Sequence, residues 1–374
     1  MTDMSNPASV RLVQDLAAAR SLVSHLQETL SSASAEIVQP SGKPINPLAL
    51  SSTAASLIKA HTTKLTLLSL NKPFTPSSIG QILNSISTSP LPALLTAVQI
   101  CDPTKFSKFG KHELHIMTAR LFTAYGNLLA EIPSSEEEQA RKLSATELRP
   151  TGSNEQNPAL IGTGLVWEIC DEITAFAEQG LGARAAKQMI SYRDLYVDAT
   201  KEIDSWRQDA NKSGSIENHM DNLQLGESDS DVESIESFSM GPTKEMIPVT
   251  EWTLEILEVI AFLFAPLIKR RIKRFPTINS KTVSEPMKED IARLDKLLDA
   301  GKYWSEQIDA IAESLFENDR EMSISLIDQL AVFVNAEVQD IKLGWDGSED
   351  ELSTWLVQWS ERFAHSKATG RPST

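Results

Sequence analysis

His112 and His115 stand three residues apart with Glu113 between them, the closest approach to a metal-hydrolase pattern in the chain. Zinc chemistry of that kind needs the two histidines four apart, where one helix face presents both imidazoles to the metal beside a basic Glu. A spacing of three reads instead as two ordinary histidines. Gly162-Thr163-Gly164 begins like a phosphate-cradling loop, yet no third glycine follows in register and no Lys-Ser or Lys-Thr pair closes it. These glycines, with Gly180 and Gly182, read as turn or close-packing positions. Cys101 and Cys170 are the two cysteines, each within an apolar helical pattern. They offer neither a disulfide framework nor a four-ligand zinc site, and they imply a reducing compartment. With six histidines and two cysteines, no Cys/His pair and no serine elbow can be assembled. The expectation is a non-enzymatic protein with no cofactor and no metal.

Three further groups carry charge or aromatic surface. Lys269, Arg270, Arg271, Lys273 and Arg274 form a basic cluster that has two readings: cations completing a helix C-terminus, or a nuclear-import or anion-binding patch. Ser228 and Ser230 are each followed at the third position by an acid, Asp231 and Glu233, the arrangement an acid-directed kinase recognises; the other reading is an unmodified acidic tether. Trp355, Trp359 and Phe363 form a stripe that suits a core or a binding face.

The elements that must position these residues follow from periodicity. The 374 residues suggest about two domains. The composition, 41% hydrophobic and 23% charged with few aromatics, leans helical. Leu12, Leu16, Ala19, Val23, Leu26, Leu30, Ala33 and Ile37 alternate steps of four and three, a seam that must face other helices. Leu48–Leu70 places Leu57, His61, Lys64, Leu65 and Leu68 in one helical register, and 109–132 carries Leu114, Met117, Leu121, Ala124 and Leu128 on one face. Residues 133–158 read as a mobile loop with at most one short exposed helix. Asn157 and Pro158 then start a helix as cap and first residue. Helices 159–176 and 183–206 are expected to face each other across the turn Gly180–Gly182 and to close a first bundle over 1–210.

Residues 213–240 hold seven Asp or Glu and no Lys or Arg, so 211–246 reads as a disordered acidic linker. A second bundle, 247–367, is expected from helices starting near Thr250 and Glu285, from 323–343, and from a last helix capped by Ser348 and Glu351; 368–374 reads as a disordered tail. The fold class is thus all-α, two antiparallel helical bundles of four to five helices each. A net charge of −16 opposes direct nucleic-acid binding. The N-terminus does not read as a signal peptide, and the apolar window 256–268 is shorter than a bilayer span.

The segments TGLVWEICDEI, 163–173, and AAKQMISYRDLYVDATKEIDSW, 185–206, resemble the family of cyclin-D-binding proteins, also called GCIP. Within them Trp167, Ile169, Asp171, Ile173, Tyr196, Ile203 and Trp206 stand out, and the apolar ones among these are expected in the core of the first bundle. The chain resembles a divergent or fungal-like member: 133–158 looks like an insertion, and no basic helix-loop-helix unit is evident. The resemblance implies bundles similar to those of talin and vinculin. It also implies a nuclear and cytoplasmic adaptor that binds cyclins and helix-loop-helix regulators and restrains the cell cycle and transcription. The other class open to such a fold is a cytoskeletal or vesicle-associated scaffold.

Overall fold

A computed structural model describes residues 7–32, 45–147, 157–220, 241–276 and 285–372. Every regular element among them is helical, in keeping with the all-α expectation. The chain divides into two compact units, one running to Leu181 and taking in the start of the helix at 285, the other formed by 182–276 and 292–374.

In the first unit α1 (Pro7–Ser32) buries Leu12, Leu16, Ala19, Val23, Leu26 and Leu30, the predicted seam as far as the described residues extend. Each buried leucine contributes about 1.5–3 kcal/mol by leaving water. α2 (Pro47–Leu70) starts at Asn46, whose side chain accepts from the Leu48 N–H at 2.9 Å. α3 (Pro76–Thr88), α4 (Pro90–Gln99) and the single turn α5 (Pro103–Phe106) each begin at a proline, which suits a first turn where the N–H has no partner anyway. α6 (Lys108–Glu131) runs antiparallel to α1: Arg20 donates to the Leu129 carbonyl, and Gln27 donates to the Thr123 hydroxyl. α7 (Glu136–Glu147) falls in the stretch expected as a mobile loop with at most one short exposed helix, and it is tied down. The buried Gln139 amide donates to the carbonyls of Ser69 and Asn71 at the end of α2.

α8 (Pro158–Met220) is interrupted at Gly180, where φ is 79° and ψ −179°. Such a conformation is open essentially to glycine alone. Up to Leu181 α8 belongs to the first unit and from Gly182 on to the second. Helix also continues through 211–220, where the acidic linker was expected to have begun; its stretch 221–240, with Ser228 and Ser230, lies outside the described residues, and 241–246 leads through a turn into the next helix.

In the second unit α8 runs antiparallel to α9 (Ile247–Pro266). The Tyr196 hydroxyl donates to the Leu257 carbonyl at 3.2 Å, and Arg207 lies 3.6 Å from Glu251. α9 starts three residues before the expected cap; Thr250 is buried and its hydroxyl donates back to the Met246 carbonyl. Pro266 contributes no N–H to the helical ladder, and the chain after it widens into a π turn, Leu267–Arg271, then tightens into a 3-10 turn, Ile272–Arg274. α10 (Glu285–Phe316) and α11 (Arg320–Asp340) are antiparallel, with Lys296 paired to Asp340 near one end and Ser314 to Ser323 near the other. α12 (Glu351–Thr369) is capped by Asp350 and Ser353, not by Ser348 and Glu351: Asp350 accepts from the Ser353 N–H, and its own N–H donates to the Ser353 hydroxyl. Ser348 instead belongs to the preceding turn, donating to Asp346. The tail expected from 368 is helical through Thr369.

Candidate protein-interaction surface

Between Pro158 and Trp167 the first stretch of α8 has no charged side chain. Its inner face packs into the first unit through Ala159, Thr163, Val166, Ile169, Cys170, Ile173 and Phe176. On one side the Thr163 hydroxyl pairs with Thr66 of α2 at 2.6 Å, and further along Lys59 meets Asp171 at 2.6 Å. On the other side Arg120 of α6 pairs with Glu172 at 2.8 Å. Gly162 brings the helix close to α6: a Cβ there would lie 3.3 Å from Leu128. α8 therefore lies antiparallel to both neighbours, pinned on each flank by an ion pair. Burial pushes the Cys170 thiol up to about 12, with the neighbouring Asp171 charge acting in the same sense, so this sulfur is an apolar filler.

The outer face is unlike that of an ordinary surface helix. Leu160 is 49%, Ile161 54% and Leu165 43% exposed, and around Gly164 there is open space. A helix that is apolar on every side is normally covered on every side. Here the opening turns of the helix put aliphatic side chains in water, with acids beginning only at Glu168. Trp167 belongs to this outer face, 36% exposed, and not to the core as expected. The reason is rotational. Residues two apart lie about 200° apart around a helix, so Trp167 and Ile169 cannot both point inward, and Ile169 joins the inward row of Val166 and Ile173. Asp171 marks the edge of the face through its pair with Lys59.

The remaining signature residues lie elsewhere. Tyr196, Ile203 and Trp206 are buried as expected, but in the second unit: Tyr196 against Phe264 at 5.5 Å between ring centroids, Trp206 edge-on to Phe316 at 5.1 Å. A bundle seam has the same spacing whichever bundle it closes, so periodicity carried no information on this choice. Gly182, next to the division, is a close-approach position, since a Cβ would come within 2.8 Å of the Ile272 carbonyl oxygen.

The basic cluster separates into different roles. Lys269, Lys273 and Arg274 reach solvent and Arg270 is half-buried, but Arg271 is 1% exposed. Its guanidinium donates to Asp350 at 2.7 Å and to the carbonyls of Ile341 and Lys342, and its own carbonyl accepts from the Trp345 indole. The geometry makes Arg271 the clasp of the turn before α12, and it takes no part in a surface patch. Burial acts to raise the Asp350 carboxyl, but the Arg271 hydrogen bond and the Ser353 N–H outweigh it and hold it below the usual carboxylate range.

The His115 ring nitrogen lies 3.3 Å from the Leu30 carbonyl oxygen while His112 faces solvent. Among the described residues no three His, Cys, Asp or Glu side chains assemble as a metal site, and no described helix is long and apolar enough to cross a membrane.

Over 331 residues, 87% of this chain and 86% of the relative, the sequence is 23% identical to an uncharacterized protein of Schizosaccharomyces pombe. Residues 52–209, from α2 to the second stretch of α8, match the family model described as Grap2 and cyclin-D-interacting, N-terminal. The matched region takes in both the exposed outer face and the Tyr196–Trp206 seam, so the match ends beyond the point where the two units divide. Over residues 52–209 this chain is therefore similar to the N-terminal domain of the Grap2 and cyclin-D-interacting family.

Proposed function

We propose that this protein is a non-enzymatic adaptor that docks a partner helix on the outer face of α8, and that its partners are D-type cyclins and helix-loop-helix regulators, with restraint of the cell cycle and transcription as the outcome. What supports the reading is the exposed aliphatic run Leu160, Ile161 and Leu165 with Trp167 at its edge, inside the stretch that matches a family described as cyclin-D-interacting. Water contact at such a face is unfavourable by about 25 cal/mol per Å² of apolar surface, and a partner's apolar stripe removes that cost. Trp and the central aliphatic side chains are the anchors such a contact needs.

The test is direct binding between purified proteins. Ile161→Glu with Leu165→Glu should weaken binding to a purified D-type cyclin at least tenfold, about 1.4 kcal/mol or more, while leaving the melting midpoint unchanged because neither side chain is in the core. Equal binding by the variant would move the docking site away from α8. A nuclear as well as cytoplasmic pool belongs to the same proposal and is supported by the solvent-facing Lys269, Lys273 and Arg274. Replacing these three with Gln, with Arg271 retained, should reduce the nuclear fraction seen by microscopy; an unchanged distribution leaves them as helix-end cations.

A further inference from the structure

The second unit has an aromatic groove of about 290 Å³ between α9 and α12, lined by Val259, Phe262, Trp355, Gln358, Trp359 and Arg362. Its floor is fixed, because the buried Trp359 indole donates to the Val259 carbonyl at 2.8 Å and stacks on Phe363 at 4.8 Å. Its rim is open. Phe262 is 59% exposed on a helix whose other large apolar side chains from Val249 to Phe264 are buried, and Trp355 is half-buried. Arg362, the only charged side chain in the lining, lies over the Phe262 ring at 5.6 Å and forms no ion pair among the described residues. Two partly exposed aromatics beside an unneutralised guanidinium match the composition of interface centres, and they call for an occupant with apolar side chains and a carboxylate.

One segment of the chain has that chemistry and starts at the right place. Residues 221–240 contain six Asp or Glu and no Lys or Arg, with Leu223, Leu225, Val232, Ile235 and Phe238 interspersed. The segment joins α8 to the residues leading into α9, and those flanking stretches both belong to the second unit. Since Arg207 of α8 stands opposite Glu251 of α9, both tethers lie toward the beginning of α9. From Ile247 to Val259 is about 18 Å along the helix. Val232 is nine residues before Gly241, a reach of about 30 Å when extended. Attachment at both ends makes contact intramolecular, so even a weak intrinsic affinity is multiplied by a high effective concentration.

We propose that residues 221–240 are the occupant of the α9–α12 groove, their apolar side chains against Phe262 and Trp355 and a carboxylate on Arg362. This contact is independent of the α8 face and stands or falls apart from it. The experiment uses the full chain with Gln358→Cys, which puts a thiol in the groove wall; Cys101 and Cys170 are buried, with thiols pushed up to about 12, and do not compete for a maleimide. Labelling of the introduced thiol should speed up about tenfold when 221–240 is replaced by a Gly/Ser sequence of equal length. A synthetic 221–240 peptide added to that replaced chain should slow it again, less effectively when Arg362→Gln is present. Labelling that is equally fast in both chains would overturn the proposal. So would labelling equally slow in both, since something other than this segment would then cover the groove, and so would a peptide that gives no protection.

Discussion

Arg271 shows how differently two neighbours in one basic run can behave. Its guanidinium, itself buried, satisfies a carboxylate and two backbone carbonyls, so Arg271→Gln should cost about 3 kcal/mol, toward the low end of the loss when a buried pair loses one partner because Asp350 keeps some exposure. Arg271→Lys should recover little of it, because an ammonium lacks the planar fork that serves three acceptors. Lys273→Gln, two residues on and in solvent, should stay within about 0.5 kcal/mol. Chemical denaturation of the three variants checks the order. The same clasp sets an acid limit. Asp350 has a lowered folded pKa, so its contribution is fully present above the ordinary aspartate value of about 3.9 and disappears as pH falls through the lower folded value. Melting midpoints recorded between about pH 4 and 2 should therefore fall less steeply in Asp350→Asn than in the parent, whatever the offset between the two proteins.

Among the elements, α8 is the one whose interruption decides where its residues go. Gly180 holds φ 79° and ψ −179°, and a Cβ at this position would meet no atom within 4 Å, so the penalty for a side chain there is purely conformational. Gly180→Ala should cost about 1–3 kcal/mol. Gly164, also in open space but inside regular helix, should respond in the opposite direction: Gly164→Ala should gain about 0.5–1 kcal/mol from the smaller loss of backbone freedom on folding. A pair of thermal melts showing the same sign for both would contradict this account of the break.

For the whole molecule, the division into compact units falls between Leu181 and Gly182 and not at the acidic segment. The second unit draws α8 from before it and α9 to α12 from after it. A chain with a site-specific protease sequence inserted within 221–240 should, once cut, run on size exclusion as a single species. Tyr196, Ile203 and Trp206 remain buried with Leu257, Phe264 and Phe316, and the fragments should part only in denaturant. Two bundles bounded at 210 and 247 would instead come apart as separate folded fragments in buffer.

The helices could be read from the residues without any structure. Apolar spacing of three and four, proline at helix starts and Asn157 before Pro158 fix local structure within a turn or two, and the stripes of α1, α6, α10 and α11 are buried as their spacing requires. The family resemblance was legible too, and the range that matches the family model, 52–209, includes the segments of α8 that carry it. Which bundle the Tyr196–Trp206 seam closes emerged from the packing, since a seam records that a helix has an apolar neighbour and not which one. That Trp167 faces water while Ile169 does not depends likewise on the rotational setting of α8 between α2 and α6. Arg271 is a buried clasp among exposed cations for a reason equally remote from its local sequence: its three acceptors, at Ile341, Lys342 and Asp350, lie 70 or more residues away in the chain.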